Sequence, residues 1–278
     1  FWIGARNMQN GALLKAVGET VQRNQSRKTF MAERTPYQFE IVFDVKNNRL
    51  SQVTQGGYPG GFKYHSGFAV NKTDGVSLDF IRSTSVARPS VPPTVFRARF
   101  RLLPQFLILN VVERASRLRY AGKADFDRRP HQVVSYANED GAEVALYFDE
   151  KTNLLSKFET LGTDPFFGDV VFETIFPGYK SENNQPLPTG RISKVGDELT
   201  EELRYEQVAF NAALPEEKFK APGEFRAVTF PPAASPLNKI SENVYTVTAG
   251  GYNVLFVAFK DFIFVMEAPG GDNVSRQA

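Results

Sequence analysis

The 278-residue chain contains no cysteine. That excludes disulfides, thiolate metal sites, a cysteine nucleophile and a lipid-bearing cysteine within it. It has two histidines and a single tryptophan. No apolar run reaches the roughly 18 residues of a membrane-spanning helix, so no transmembrane segment is expected. Neither sign of charge dominates: the net charge is +2 and the pI about 8.7. No dense basic block interleaves with aromatics, so nucleic acid is not an expected partner. No signal peptide is visible at the start, which is Phe1 rather than Met.

What is present is the composition of a folded chain, 42% hydrophobic and 23% charged, with 25 phenylalanines that point to an aromatic-rich interior. The end of the chain is the most telling part. Asn253–Phe259 and Phe262–Ala268 are apolar runs joined by Lys260-Asp261, the pattern of a tight hairpin. Both faces of each run are apolar, so both should be covered, yet little chain follows. The sequence therefore reads as a fragment of a longer protein. The uncovered hairpin is expected to pack on the first domain, to self-associate with another copy, or to be an aggregation liability.

Along the chain, Gly11–Arg23 carries Leu13, Leu14, Val17 and Val21 at helical spacing, and residues 1–36 are expected to form an N-terminal helical segment. Tyr37–Val45 is the cleanest strand, with Tyr37, Phe39, Ile41, Phe43 and Val45 on one face. Lys46-Asn47-Asn48 is a turn, GGYPGG at Gly56–Gly61 a loop, and Ser83–Pro93 a Pro- and Ser-rich loop. Thr94–Leu118 has helical character broken by Pro104, which predicts two helical pieces. A run of strands with marked turns follows to Phe210. The resulting class is α+β: a curved antiparallel sheet wrapped on helices over 37–229. FPPAASP at Phe230–Pro236 marks a linker, set at 230–238, and a second domain is expected over 239–278.

Two family resemblances enter here. The stretch from Leu118 through Thr160, with Gly141 in a polar turn, strand Val144–Phe148, turn Asp149–Asn153 and strand Leu154–Thr160, resembles the β-domain of outer-membrane lipoprotein carriers. That resemblance implies an open sheet around an apolar cavity, a lipid or other apolar small molecule as partner, and a periplasmic or secreted setting. The segment Val244–Pro269 resembles the opening strands of metallo-β-lactamase-fold hydrolases: strand Val244–Thr248, turn Ala249-Gly250-Gly251, Asn253, strand Val254–Phe259, turn Lys260-Asp261 and strand Phe262–Met266, ending Glu267-Ala268-Pro269. This second resemblance implies the first strands of an αββα sandwich and a zinc site held by an H-x-H-x-D-H motif beyond Ala278. The leading expectation is an N-terminal fragment of a zinc-dependent hydrolase, itself inactive. The alternative is a non-enzymatic binding module for a lipid or apolar ligand.

No catalytic, cofactor-binding or metal-binding residue is assigned in the chain, and zinc is expected only in a longer form. His131, after Arg128-Arg129-Pro130, reads as an exposed turn residue, and His65 as a half-exposed strand residue. Arg97, Arg99 and Arg101 alternate with Phe96, Ala98 and Phe100, as on a solvated face; a basic rim is the functional alternative. Phe96, Phe100, Leu103, Phe106 and Leu107 read as core, with a lipid-accepting cavity as the alternative. Asp149-Glu150 and Glu201-Glu202 read as turn and surface carboxylates, because strand neighbours point to opposite faces. GGYPGG lacks the lysine and helix of a phosphate loop.

Overall fold

The computed structural model describes residues 11–22, 32–72, 74–88, 91, 102–112, 115–137, 141–164, 167–229, 236–249 and 252–266. The chain divides into two units, Phe1–Phe225 and Arg226–Ala278. In the first, β1 (Ala12–Gln22), β2 (Glu33–Asp44), β3 (Arg49–Gly57), β4 (Lys63–Asn71), β5 (Asp74–Asp79) and β6 (Thr84–Arg88) form one antiparallel meander. Helix α1 (Pro104–Val112) follows, then a second meander: β7 (Arg119–Phe126), β8 (Arg129–Ala137), β9 (Glu143–Asp149), β10 (Leu155–Asp164) and β11 (Gly168–Ile175). The hairpin β12 (Tyr179–Glu182) and β13 (Gln185–Pro188) leaves the sheet before β14 (Gly190–Val195) and β15 (Glu198–Phe210). β15 pairs antiparallel with β1, so the two meanders join in one sheet ordered β6-β5-β4-β3-β2-β1-β15-β14-β11-β10-β9-β8-β7.

The expected α+β class is therefore corrected. Among the described residues the protein is nearly all β, 66% strand with one short helix. One source of the error is Gly11–Arg23, whose apolar spacing matched a helix but whose residues Ala12–Gln22 are drawn out as β1. Pairing with β2 on one side and β15 on the other over nearly its whole length outweighs local preference, which Gly18 already weakens. The buried residues of β1 are Ala12, Leu14 and Ala16, a period of two. The expected Ser83–Pro93 loop likewise starts as β6. Of the two expected helical pieces, the one opening at Pro104 is α1; Thr94–Arg101, including Arg97, Arg99, Phe96 and Phe100, lies outside the described residues, as does 230–235 of the expected linker.

One helix packs against both meanders. Leu103 and Phe106 join Leu14, Ile41, Phe43, Leu50 and Val70 from β1–β4, whereas Leu107, Ile108 and Val111 join Tyr136, Val144, Leu146, Leu155 and Phe158 from β8–β10. Strands lie about 4.8 Å apart and a nine-residue helix is about 14 Å long. Strands as far apart in the order as β4 and β8 can meet such a helix only if the sheet curls around it. The curl has local causes: register shifts at Lys15/Ala16 and Ser193/Lys194 on either side of β15, and glycines pressed against its backbone. A Cβ on Gly18 would stand 2.0 Å from the Glu202 carbonyl oxygen, and one on Gly190 2.3 Å from that of Leu203. The β12–β13 hairpin closes on α1, where Gln105 Nε2 donates to the Pro186 carbonyl at 2.7 Å and Leu187 enters the core.

The second unit holds β16 (Arg226–Ala227) and an antiparallel meander of β17 (Asn238–Ser241), β18 (Val244–Ala249), β19 (Tyr252–Ala258) and β20 (Ile263–Met266). The turn at Lys260-Asp261 forms as expected, closed by the Phe259 N–H donating to the Phe262 carbonyl at 2.9 Å, with the two rings stacked 4.6 Å apart. Val254 is buried, but Ile263, Phe264, Val265 and Met266 are all exposed.

Candidate ligand cavity

From Phe43 to Tyr37, the side chains that the alternation places on one face of β2 descend in burial. Phe43 is fully buried beneath α1 at 4.9 Å from the Phe106 ring, Ile41 and Phe39 are buried, and Tyr37 is half-buried. The change falls where the described helix ends. α1 begins at Pro104, and the sheet beyond Leu102 and Leu103 has no helix of the described residues above it. At that end a cavity of about 280 Å³ opens. Its walls are Tyr37, Phe39, Ile41 and Gln52 from β2 and β3; Phe158, Thr160, Phe172 and Thr174 from β10 and β11; Arg191 and Glu201 from β14 and β15; and Leu102. Tyr205 fixes Leu102 by donating its hydroxyl to the Leu102 carbonyl at 2.6 Å. Burial raises the Tyr205 pKa above the ordinary tyrosine range, so the phenol remains a donor.

The polar part of the wall is an ion pair. Ser193 stands opposite Glu201 in the β14–β15 register, so Arg191, two residues before Ser193, reaches Glu201 diagonally on the same face. Arg191 Nη2 bonds Glu201 Oε2, and both side chains are largely buried. Burial alone would lower the Arg191 pKa; the carboxylate more than offsets it, and the guanidinium stays charged. Two wall atoms have no hydrogen-bond partner among the described residues, the acceptor Gln52 Oε1 and the donor Arg191 Nε. The Gln52 amide nitrogen is satisfied, donating to Thr54 Oγ1 at 3.0 Å. An unpaired buried polar atom costs about 1–3 kcal/mol, so this wall carries a cost that a bound polar group would relieve.

Sequence reasoning missed this site. Glu201 was expected at the surface and lies in the cavity wall, while its neighbour Glu202 does face outward, to Arg34 at 3.4 Å. Arg191 drew no attention because nothing in Gly190–Val195 distinguishes an inward arginine from a solvated one. His131, expected exposed, is fully buried: its Nδ1 lies 2.8 Å from the Arg129 carbonyl, its Nε2 2.9 Å from Ser156 Oγ, and the Phe126 ring covers it edge-on. β8 begins at Arg129, earlier than expected, which turns His131 inward. The Ser156–His131 pair resembles a nucleophile and base, but both residues are buried, and it serves as a hydrogen-bonded packing element. Asp149 is buried too. It accepts from the Thr152 N–H at 2.8 Å and the Lys151 N–H at 3.0 Å, and these bonds hold its pKa below the usual aspartate range against the opposing effect of burial. His65 stands half-buried on β4, stacked on Phe80 at 4.4 Å. Leu103, Phe106 and Leu107 are core.

No protein-family model and no curated protein matches the chain. Among solved structures it is similar to a LolA superfamily protein from Nitrosomonas europaea, at 12% identity over 76% of this chain and 90% of that one, with a TM-score of 0.44. It is similar to a DUF1329 family protein from Desulfovibrio piger, at 9% identity over 78% and 92%, TM-score 0.47. A third is MucB in the Pseudomonas aeruginosa MucA/MucB complex, at 16% identity over 92% and 78%, TM-score 0.29. These likenesses are too distant to carry an argument about function. None of the three is a metallo-β-lactamase-fold hydrolase, and the expectation of a hydrolase fragment is overturned. The described residues that suggested it form an antiparallel meander, and nothing among them is evidence of a metallo-β-lactamase fold. The pattern of apolar strand, tight turn and apolar strand belongs to hairpins in general, which is why it misled. No helix among the described residues is long and apolar enough to cross a membrane.

Proposed function

We propose that the chain is a non-enzymatic binding module that holds a lipid chain or another apolar small molecule in the cavity beside α1. The observation that carries this reading is the hollow itself. The same curled sheet is tightly packed under α1 and left open where the helix ends, with four aromatic side chains, Tyr37, Phe39, Phe158 and Phe172, in its wall. Interiors are ordinarily packed with few voids larger than a water molecule. A cavity of about 280 Å³ lies at the lower edge of ligand pockets, which run roughly 300–1,000 Å³. It suits one short chain better than a multiply acylated lipid. Arg191 and Glu201 neutralise each other, so the wall offers no net charge, while the unpaired Gln52 Oε1 and Arg191 Nε can engage a polar atom of the ligand. A periplasmic or secreted setting accompanies this reading through the lipoprotein-carrier resemblance.

The test is thermal unfolding with and without an alkyl ligand. At a concentration of 100 times its Kd, a ligand bound only by the folded state stabilises by about 2.7 kcal/mol. Thr160→Phe, which fills the cavity, should abolish the shift. A wild-type protein indifferent to alkyl ligands, or a filled cavity that keeps the full shift, would remove the reading.

A further inference from the structure

The hollow is bounded by polar side chains as much as by apolar ones. Tyr37, Gln52, Thr160, Thr174, Arg191 and Glu201 all stand in its wall. The two charges among them cancel, since Arg191 and Glu201 are paired.

Strand register carries this polar surface across the sheet. Thr174 on β11 stands opposite Ser193 on β14, and Ser193 opposite Glu201 on β15. Glu201 in turn faces Thr20 on β1, and Thr20 faces Thr35 on β2. Directly opposed residues share a face of the sheet, so four hydroxyls and one carboxylate form an unbroken row over five adjacent strands. The row is bonded within itself. The Thr20 and Thr35 hydroxyls are hydrogen-bonded at 3.0 Å, and Ser193 Oγ donates to Glu201 Oε2 at 3.4 Å. Two of its members, Thr174 and Glu201, border the cavity. A surface of hydroxyls around a neutralised ion pair suits a head that is polar but uncharged.

The two unpaired atoms of the wall narrow the chemistry further, because their roles are opposite. Arg191 Nε is a donor and Gln52 Oε1 an acceptor. They belong to strands four places apart in the sheet and border one cavity because the sheet curls. A bare alkyl chain satisfies neither atom, and a simple ester satisfies only the donor. A carboxylate also satisfies the donor, but it sets a second negative charge beside buried Glu201. An ammonium satisfies the acceptor, but it sets a second positive charge beside Arg191. Either ion leaves a buried charge uncompensated. An uncharged head with both a carbonyl and a hydroxyl satisfies both atoms and leaves the wall neutral.

We infer that the cavity selects a single short chain with an uncharged, hydroxyl-bearing head, the chemistry of a monoacylglycerol, whose ester carbonyl accepts from Arg191 Nε and whose hydroxyl donates to Gln52 Oε1. This rests on the binding reading above and names its ligand class. The chain lies against Phe39, Ile41, Phe158 and Phe172, and the second hydroxyl of the head is left for the threonines of the wall.

The test compares heads on one chain. Monooctanoylglycerol, methyl octanoate, octanoate and octylammonium, each kept below its micelle concentration, would be titrated calorimetrically into the protein at neutral pH. The glycerol ester should bind about tenfold tighter than each of the others, the difference expected of one buried hydrogen bond or one uncompensated charge. Gln52→Leu should bring the glycerol ester to within about threefold of the methyl ester. Arg191→Lys keeps a cation opposite Glu201 but lacks the Nε–H, and should weaken both esters about tenfold. The second variant keeps the test independent of whether Gln52→Leu folds. Equal affinity for all four probes would overturn the head assignment and leave the binding reading standing. So would a preference for either charged probe, or a preference for the glycerol ester that survives both variants. A wild type that binds none of the four would remove the binding reading itself, and the head assignment with it. Binding untouched by Thr160→Phe would do the same, since it puts the ligand outside the cavity.

Discussion

One curled sheet is filled at one end and hollow at the other. Under α1, Phe43, Leu14, Leu50, Leu103 and Phe106 are almost wholly shielded from solvent. Past Leu102, the same strands carry Tyr37, Gln52, Arg191 and Glu201 around open space. β2 alone spans both regimes. The contrast shows that the hollow is not a weakness of the sheet: the ladder of β2 runs unbroken to β1 from Glu33 to Phe43 and to β3 from Tyr37 to Asp44. Among the described residues the hollow begins where the helix ends, past Leu102.

Phe106→Ala strikes the filled end and should have the largest effect, a loss of about 3–5 kcal/mol on chemical denaturation. A loss below about 1 kcal/mol would mean that this end is loosely packed as well. Glu201→Ala, in the wall of the hollow, leaves Arg191 buried without its carboxylate and should cost about 2–4 kcal/mol. Arg191→Met combined with Glu201→Met should recover most of that loss; a double variant as unstable as the single one would show that the pair does more than neutralise itself.

Acid should weaken the filled end through Asp44, buried below it. Burial pushes its pKa up, but Asn47 and Arg49, the latter 2.6 Å away, outweigh this and hold the folded value below the ordinary aspartate range. A depressed folded pKa adds stability that is fully present above the unfolded value and is lost as pH falls through the folded one. Stability should therefore drop below about pH 4, and Asp44→Asn should flatten that part of the profile while lowering stability at neutral pH. An unchanged acid profile would remove Asp44 from the account. The smallest effect is expected outside the comparison, on the exposed strand β20: Phe264→Lys should change stability by less than about 0.5 kcal/mol. A clear loss there would show that the strand is covered.

The parts of the fold legible in the sequence were those that alternation and turn chemistry alone specify. Tyr37–Val45 reads correctly because its inner residues all meet one apolar surface, and Lys46-Asn47-Asn48 because Asn48 accepts a φ of 52°. The hairpin turn at Lys260-Asp261 was legible for the same local reason. β1 was not, because its strand character comes from partners on both sides that lie roughly 20 and 190 residues away in the chain. Nor was His131, whose burial depends on where β8 starts.

By itself, then, the sequence determined a cysteine-free, phenylalanine-rich chain with alternating strands and well-marked turns, properties set by composition and by residues within a few positions of one another. The tertiary structure decided which charges are interior and where space remains. Arg191 meets Glu201 only through the β14–β15 register, and Tyr37 faces Gly18 and Gly56 only through its pairing with β1 and β3. Both are pairings between strands, and strand register is set by the whole sheet rather than by any segment of it.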